Sequence, residues 1–204
     1  MKIIFARHGE SLANTLHIIS NRDLLHPLTE KGRAQAAVLA EKLSGRPIAR
    51  IYVSPILRAC ETAEIVSARL GLSVEVADAL REYDCGVLES HGDEAAWATH
   101  QQFVHEWLSG KNRNKAPEGG ETFFDIQKRV AKFVNGLVTQ HGGSNVEILC
   151  VSHGGTIIFG LPEFLPNLSF KLAWEQGLGH TDIVVVEEKS GRLICRSWGN
   201  HIFD

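Results

Sequence analysis

The sequence has little of what would mark a secreted, membrane-bound or nucleic-acid-binding chain. Its four cysteines, Cys60, Cys85, Cys150 and Cys195, are scattered, with no C-x-x-C pair. That excludes a dense disulfide framework and fits reduced thiols in a cytoplasmic protein. The opening apolar run, Ile3-Ile4-Phe5, is too short for a secretory signal, and no stretch has the length of a membrane span, so no membrane partner is expected. Positive charge is not in excess: 21 Lys and Arg face 24 Asp and Glu, for a net charge of −3, which disfavours nucleic acid as a partner. There is no glycine-rich Walker loop and no cysteine followed six residues later by arginine. His105-Glu106 lacks the second histidine of a zinc-protease helix, and the other histidines show no ligand spacing. Neither a metal nor a cofactor is expected. Repeats and linkers are absent too, so the 204 residues read as one domain, 1–204, of a size that buries roughly 70% of the surface its unfolded form exposes.

What is present is chemistry at the ends of apolar runs. Arg7-His8-Gly9-Glu10 directly follows Ile3-Ile4-Phe5, and Gly9 is expected to let the chain turn away and leave both cationic side chains beyond the sheet edge, where ligands bind in open α/β sheets. The short strand Arg50-Ile51-Tyr52-Val53 precedes Ser54-Pro55, read as the cap and first position of a helix that carries Arg58 in its first turn. Leu72 to Val76 is a small strand, followed by an acidic connection that includes Arg81, Glu82, Tyr83 and Asp84. The strongest strand, Val146 to Val151, runs into Ser152-His153-Gly154-Gly155 and a helix whose first N–H groups attract anions.

The intervening segments read as scaffold. Residues 10–27 form a long polar loop over the site. Thr29 caps a helix to about Leu43, and Thr122-x-x-Asp125 opens a long helix that Gly142-Gly143 ends. Residues 90–120, polar but marked by Trp97, Phe103 and Trp107, read as a partial cap containing a helix, and Lys111 to Lys115 as a solvated loop. Ile183 to Val186 and Leu193 to Cys195 flank Ser190-Gly191 as a terminal hairpin. Its apolar edge is the one hint of a homodimer.

Four junctions thus carry Arg7-His8, Arg58, Glu82 and His153, and together they suit phosphoryl transfer. A phosphate monoester is dianionic, so a nucleophile reaches phosphorus only where fixed cations and N–H donors neutralise that charge. Arg7, Arg58, a protonated His153 and the amides near Gly154 would do so. Each guanidinium contact at 4 Å is worth about 4 kcal/mol at an effective dielectric of 20, before desolvation is subtracted. An unprotonated His8 nitrogen would form a phosphoimidazole, and Glu82 would serve as acid, then base. Asn14, Arg81, Tyr83, His17 and Arg22 are placed either to touch substrate or to order loops.

The sequence resembles the histidine phosphatase superfamily, in its phosphoglycerate-mutase-like branch, over nearly its whole length. The resemblance rests on Phe5-Ala6-Arg7-His8-Gly9-Glu10-Ser11 with Asn14, on Leu28-Thr29-x-x-Gly32-x-x-Gln35-Ala36 and on Ser54 to Ala63 with Arg58. It continues through Leu80-Arg81-Glu82 with Gly86, Gly119-Gly120-Glu121-Thr122 and Val151-Ser152-His153-Gly154. It implies a three-layer α/β/α sandwich with a mostly parallel sheet, His8 as the phosphorylated residue, Arg7 as its clamp, Glu82 as the acid in preference to Asp84 or Glu89, and no metal. Leu88 and Ser90 stand where a Trp and a Gly are usual. The expected partner is a small phosphorylated substrate and the expected activity phosphomonoester hydrolysis, since the family's mutases carry a longer cap. The alternatives are a phosphoglycerate mutase using the same phosphohistidine, a non-catalytic phospho-ligand module, and a serine hydrolase built on Ser152 with Asp182 and His201 following in order.

Overall fold

The structure, a computed structural model, describes residues 1–22 and 25–203. One seven-stranded sheet organises it, in the order β3-β2-β4-β1-β5-β6-β7. Strands β1 (Lys2–Arg7), β2 (Ile48–Val53), β3 (Val74–Val76) and β4 (Glu147–Ser152) run parallel. Strands β5 (Ile183–Lys189), β6 (Arg192–Trp198) and β7 (His201–Ile202) continue the sheet antiparallel from β1, with β5 and β6 forming the expected hairpin.

The alternation of side chains along a strand divides the core between the two faces. Ile3, Phe5, Ile148, Cys150, Val184 and Val186 face one layer, with α5 (Phe123–His141) supplying Ile126, Val130, Val134 and Leu137. Ile4, Ala6, Leu149, Val151 and Val185 face the other, where α2 (Glu30–Leu43) supplies Leu39, Ala40 and Leu43 and α3 (Leu57–Leu70) supplies Ala59, Ala63 and Val66. Burying each large aliphatic side chain contributes roughly 1.5–3 kcal/mol, so β1 and β4, covered on both faces, are anchored most firmly. The arrangement is the three-layer sandwich the sequence implied. Among the described residues no helix is long and apolar enough to cross a membrane.

Local chemistry sets the helix ends. Thr29 accepts from the Gly32 amide, and Thr122 with Asp125 completes a capping box. Two local readings are corrected. Residues 10–27 are not all loop, because Ser11 and Asn14 box the start of a short helix, α1 (Leu12–Leu16), which His17 closes at φ 53°. Ser54 does not cap α3: Ile56 is extended (φ −75°, ψ 133°) and precedes the first helical residue, and the Ser54 hydroxyl accepts the Ile56 amide at 3.2 Å and lies 2.7 Å from His153 Nε2. Helix α4 (Glu94–Leu108), capped by Asp93, lies within residues 90–120.

Gly9 also differs from its expected role. Its backbone is not left-handed; it is needed for closeness, since a Cβ there would lie 2.5 Å from the Gly32 carbonyl oxygen, and one at Gly32 would collide with the Glu10 carbonyl. Helix α2 therefore presses directly on the turn that carries His8. Gly32→Ala is expected to force these backbones apart at a cost of about 1–3 kcal/mol, lowering the melting temperature by roughly 2–4 °C per kcal/mol; thermal denaturation followed by circular dichroism measures it.

Candidate active site

Because β1 and β4 are parallel and in register, Arg7 sits opposite Ser152, and the next residue on each strand is a histidine. The His8 amide donates to the Ser152 carbonyl at 3.0 Å, and the two imidazoles lie 5.0 Å apart. His8 is buried. Its Nδ1 donates to the Gly9 carbonyl at 2.6 Å, and its Nε2 accepts from Arg58 Nε at 3.0 Å. Burial first, then the Arg58 and Arg7 charges, hold its pKa well below the usual histidine value.

Arg58, in the first turn of α3, is buried too; its other nitrogens donate to the Ser20 carbonyl at 2.6 Å and to Asn21 Oδ1 at 3.4 Å. Burial lowers its pKa to about 10, against the opposing pull of Glu82, so it stays charged at neutral pH. Arg7 donates to the Leu178 carbonyl at 2.6 Å and to His180 Nε2 at 3.2 Å, and its Nε is buried with no partner among the described residues. Such an orphan costs about 1–3 kcal/mol and calls for a functional explanation.

Glu82 is held by backbone. Oε2 accepts the Gly155 amide at 3.0 Å, and Oε1 accepts the Thr156 amide at 2.7 Å and the Tyr83 amide at 3.1 Å. The first N–H groups of α6 (Gly154–Gly160), expected to meet phosphate, are thus spent on the acid. This corrects the reading of the amides near Gly154, although Gly154 itself lines the cavity beside Arg7. The competing acids are committed elsewhere: Asp84 pairs with Arg22 at 2.7 Å, and Glu89 accepts from the Asn21 and Cys85 amides.

A cavity of about 310 Å³ opens over these groups, and Arg7, His8, Asn14, Arg58, Glu82, Tyr83 and Gly154 all line it. Tyr83 is buried in its wall, stacked on His100 with its hydroxyl 2.5 Å from His100 Nε2. Two expected members are placed otherwise. Arg81 is outside the cavity lining, because the turn at Asp78–Leu80 puts Asp78 where it accepts both Nε and Nη2 of Arg81. His153 lies behind His8, wholly buried, with Nε2 2.7 Å from Ser54 Oγ; burial and Arg58 hold its pKa well below the usual value, so it is neutral here and not the expected cation.

The serine-hydrolase geometry is not formed. Ser152 Oγ donates to the Leu80 carbonyl at 2.7 Å, Asp182 accepts the Gly179 amide, and His201 is exposed on β7. Glu10 pairs with Lys31 at 2.7 Å and is structural. Of the basic loop, Arg113 is also structural, 4.5 Å over the Phe123 ring, and Ser90 takes a left-handed backbone, φ 67°, which glycine, the residue the resemblance implies there, adopts more readily.

Three contributors to the site are not expected there from the sequence. Thr62 accepts the Gly9 amide at 3.1 Å and donates to the Arg58 carbonyl at 2.7 Å; its spacing of four from Arg58 on one helix was a usable signal. Ser54 holds His153. His180 lies 5.9 Å from His8 between ring centres, and only the antiparallel pairing of β5 with β1 brings it there.

Comparison with known proteins points to one family. A model described as histidine phosphatase superfamily (branch 1) matches residues 3–201. A probable phosphoglycerate mutase GpmB from Yersinia enterocolitica is 29% identical over 168 residues, 79% of this chain and 76% of that one. Among solved structures, a mycobacterial glucosyl-3-phosphoglycerate phosphatase superposes with a TM-score of 0.83 at 26% identity, covering 97% of this chain and 98% of that one. A mutant phosphoserine phosphatase from Entamoeba histolytica, in complex with phosphoserine, gives 0.82 at 25% identity, covering 98% and 97%.

His8, His100, His153 and His180 all have lowered pKa values, His180 at about 4. The unfolded chain therefore takes up their protons first: stability is full above about pH 6.5 and is lost as pH falls toward the folded values. Urea midpoints are expected to drop between pH 6.5 and 5, each histidine contributing up to about 1.4 kcal/mol per pH unit. His180→Asn should make that slope shallower.

Proposed function

Since the chain belongs to the histidine phosphatase superfamily, branch 1, we propose that it hydrolyses phosphomonoesters of small molecules through a phosphohistidine on His8, with residues 90–120 as a partial lid on one catalytic domain. The observation that carries this is the state of His8. With Nδ1 donating to Gly9, the free lone pair is on Nε2, and the ring is unprotonated between two guanidiniums.

In the free site that lone pair accepts from Arg58 Nε. An entering phosphate oxygen takes over this N–H, which releases Nε2 to attack phosphorus while Arg7 and Arg58 hold the non-bridging oxygens. The N–P bond forms, the ester P–O bond breaks, and the departing alcohol oxygen takes its proton from Glu82. A phosphomonoester with a second pKa near 6 can bring that proton in. Water then attacks the phosphoimidazole, Glu82 accepts its proton, and inorganic phosphate leaves with His8 restored. His153, neutral behind His8, is the group a dianion in the cradle would draw toward protonation.

The mutase reading, favoured by the name of the Yersinia relative, uses the same first step and must then shield the phosphoenzyme from water. The lid here is a single helix, α4, which supports hydrolysis.

Incubation with a phosphomonoester followed by alkaline quench should trap acid-labile phosphate on the protein, and His8→Ala should abolish both the label and turnover. Glu82→Gln is expected to lower kcat by about 10²–10⁴ and to leave a detectable label. Undiminished turnover in His8→Ala would overturn the mechanism, and isomerisation of phosphoglycerate faster than phosphate release would select the mutase.

A further inference from the structure

The cavity over His8 continues beyond the phosphate cradle. A second chamber of about 350 Å³ shares Trp97, His100, Val104 and Trp174 with the first and adds Gln101, His105 and Leu108. Its two indoles are fixed from different elements. Trp97, on α4, donates Nε1 to the His17 carbonyl at 2.6 Å. Trp174, on α7 (Phe170–Gln176), lies nearly parallel to Phe159, 6.1 Å between ring centres at 20°. Trp174 is nonetheless 46% exposed, so a large apolar face is held rigidly at the mouth without being used by the core.

Charge is distributed as unevenly as shape. In the inner chamber the formally charged side chains are Arg7, Arg58 and Glu82, all taken up by the phosphate chemistry, and the outer chamber is lined by no Lys, Arg, Asp or Glu among the described residues. A substrate with a second anionic group, as in phosphoglycerate or phosphoserine, would find no guanidinium or ammonium in the outer chamber, only the His100 and His105 imidazoles and the Gln101 amide among indole and aliphatic carbon, so its carboxylate would be poorly compensated. Aromatic and apolar bodies instead gain by stacking on such walls.

We propose that the substrate is a phosphomonoester of an uncharged alcohol with an aromatic or bulky apolar body, its phosphate held by Arg7 and Arg58 and its body lying against Trp97 and Trp174. This rests on the phosphatase reading above and narrows it.

The test compares esters that all have alkyl leaving groups: methyl phosphate, 2-phenylethyl phosphate, glucose 6-phosphate, O-phosphoserine and 3-phosphoglycerate. The expected result is kcat/KM for 2-phenylethyl phosphate at least tenfold above every other ester. Trp174→Ala should lower that value at least fivefold more than it lowers the value for methyl phosphate. Gln101 is exposed, so Gln101→Arg can be made without disturbing the core, and it should raise the two carboxylate esters relative to 2-phenylethyl phosphate. Preference for glucose 6-phosphate, phosphoserine or 3-phosphoglycerate, or an equal effect of Trp174→Ala on all esters, would overturn the assignment while leaving the phosphatase reading intact. Failure to hydrolyse any ester, with no label on His8, would remove the phosphatase reading and this assignment with it.

Discussion

The chemistry of this site depends on one short hydrogen bond, from His8 Nδ1 to the carbonyl of the next residue, Gly9. It fixes the tautomer, orients the ring and leaves Nε2 as the only nitrogen with a lone pair. A bond to an adjacent residue constrains nothing unless that residue is itself held, and much of the surrounding fold does this. Thr62 receives the Gly9 amide, Gly32 lets α2 close on Gly9 from the other side, and the same Thr62 hydroxyl donates to the Arg58 carbonyl. His8 and Arg58 are thereby referred to one point on α3, and a shift of either helix would move both.

Around that point the protein tolerates an electrostatic arrangement that works against its own stability. Two guanidiniums and three imidazoles crowd one carboxylate in a largely buried space, and the imidazoles respond by remaining neutral. Arg7 Nε and His153 Nδ1 stay buried without partners among the described residues. Unpaired buried polar atoms concentrate where a ligand, and not the fold, determines the arrangement. Assigning two α6 amides to Glu82 has the same logic: with the Tyr83 amide, they fix the carboxylate next to the proposed phosphate site, where a dianion would otherwise repel it.

The sequence revealed the residues more fully than the relations between them. His8, Arg7, Arg58 and Glu82 were legible because each falls just past an apolar run, and runs such as Ile3 to Phe5 and Val146 to Val151 mark strands whatever else the chain does. Sequence adjacency places Arg81 with Glu82, but the turn sends the two side chains in different directions and only Glu82 lines the cavity. His153 was misjudged in charge, because residue type cannot report depth: at the end of a strand covered on both faces, burial outweighs the anion expected nearby. Gly9 was read for its torsional freedom when its missing Cβ was the point, a distinction that only the position of Gly32 on α2 reveals. His180 was invisible because its place follows from β5 pairing with β1 across the whole chain length, the kind of non-local register that local patterns do not encode.

The division between a dense cradle and a sparse outer chamber suggests how one reaction can serve different substrates on this fold. The cradle is made by strand ends and helix starts whose backbones are pinned by the sheet, so a change there disturbs several bonds together. The outer chamber is made by α4 and α7, which reach the site through side chains such as Phe159 and Tyr83. A substitution at an exposed position there, Gln101 or Trp174, alters what the body of a substrate meets without moving His8. On the proposed reading, specificity lies with α4 and α7, whose chamber presents aromatic carbon and no Lys, Arg, Asp or Glu among the described residues.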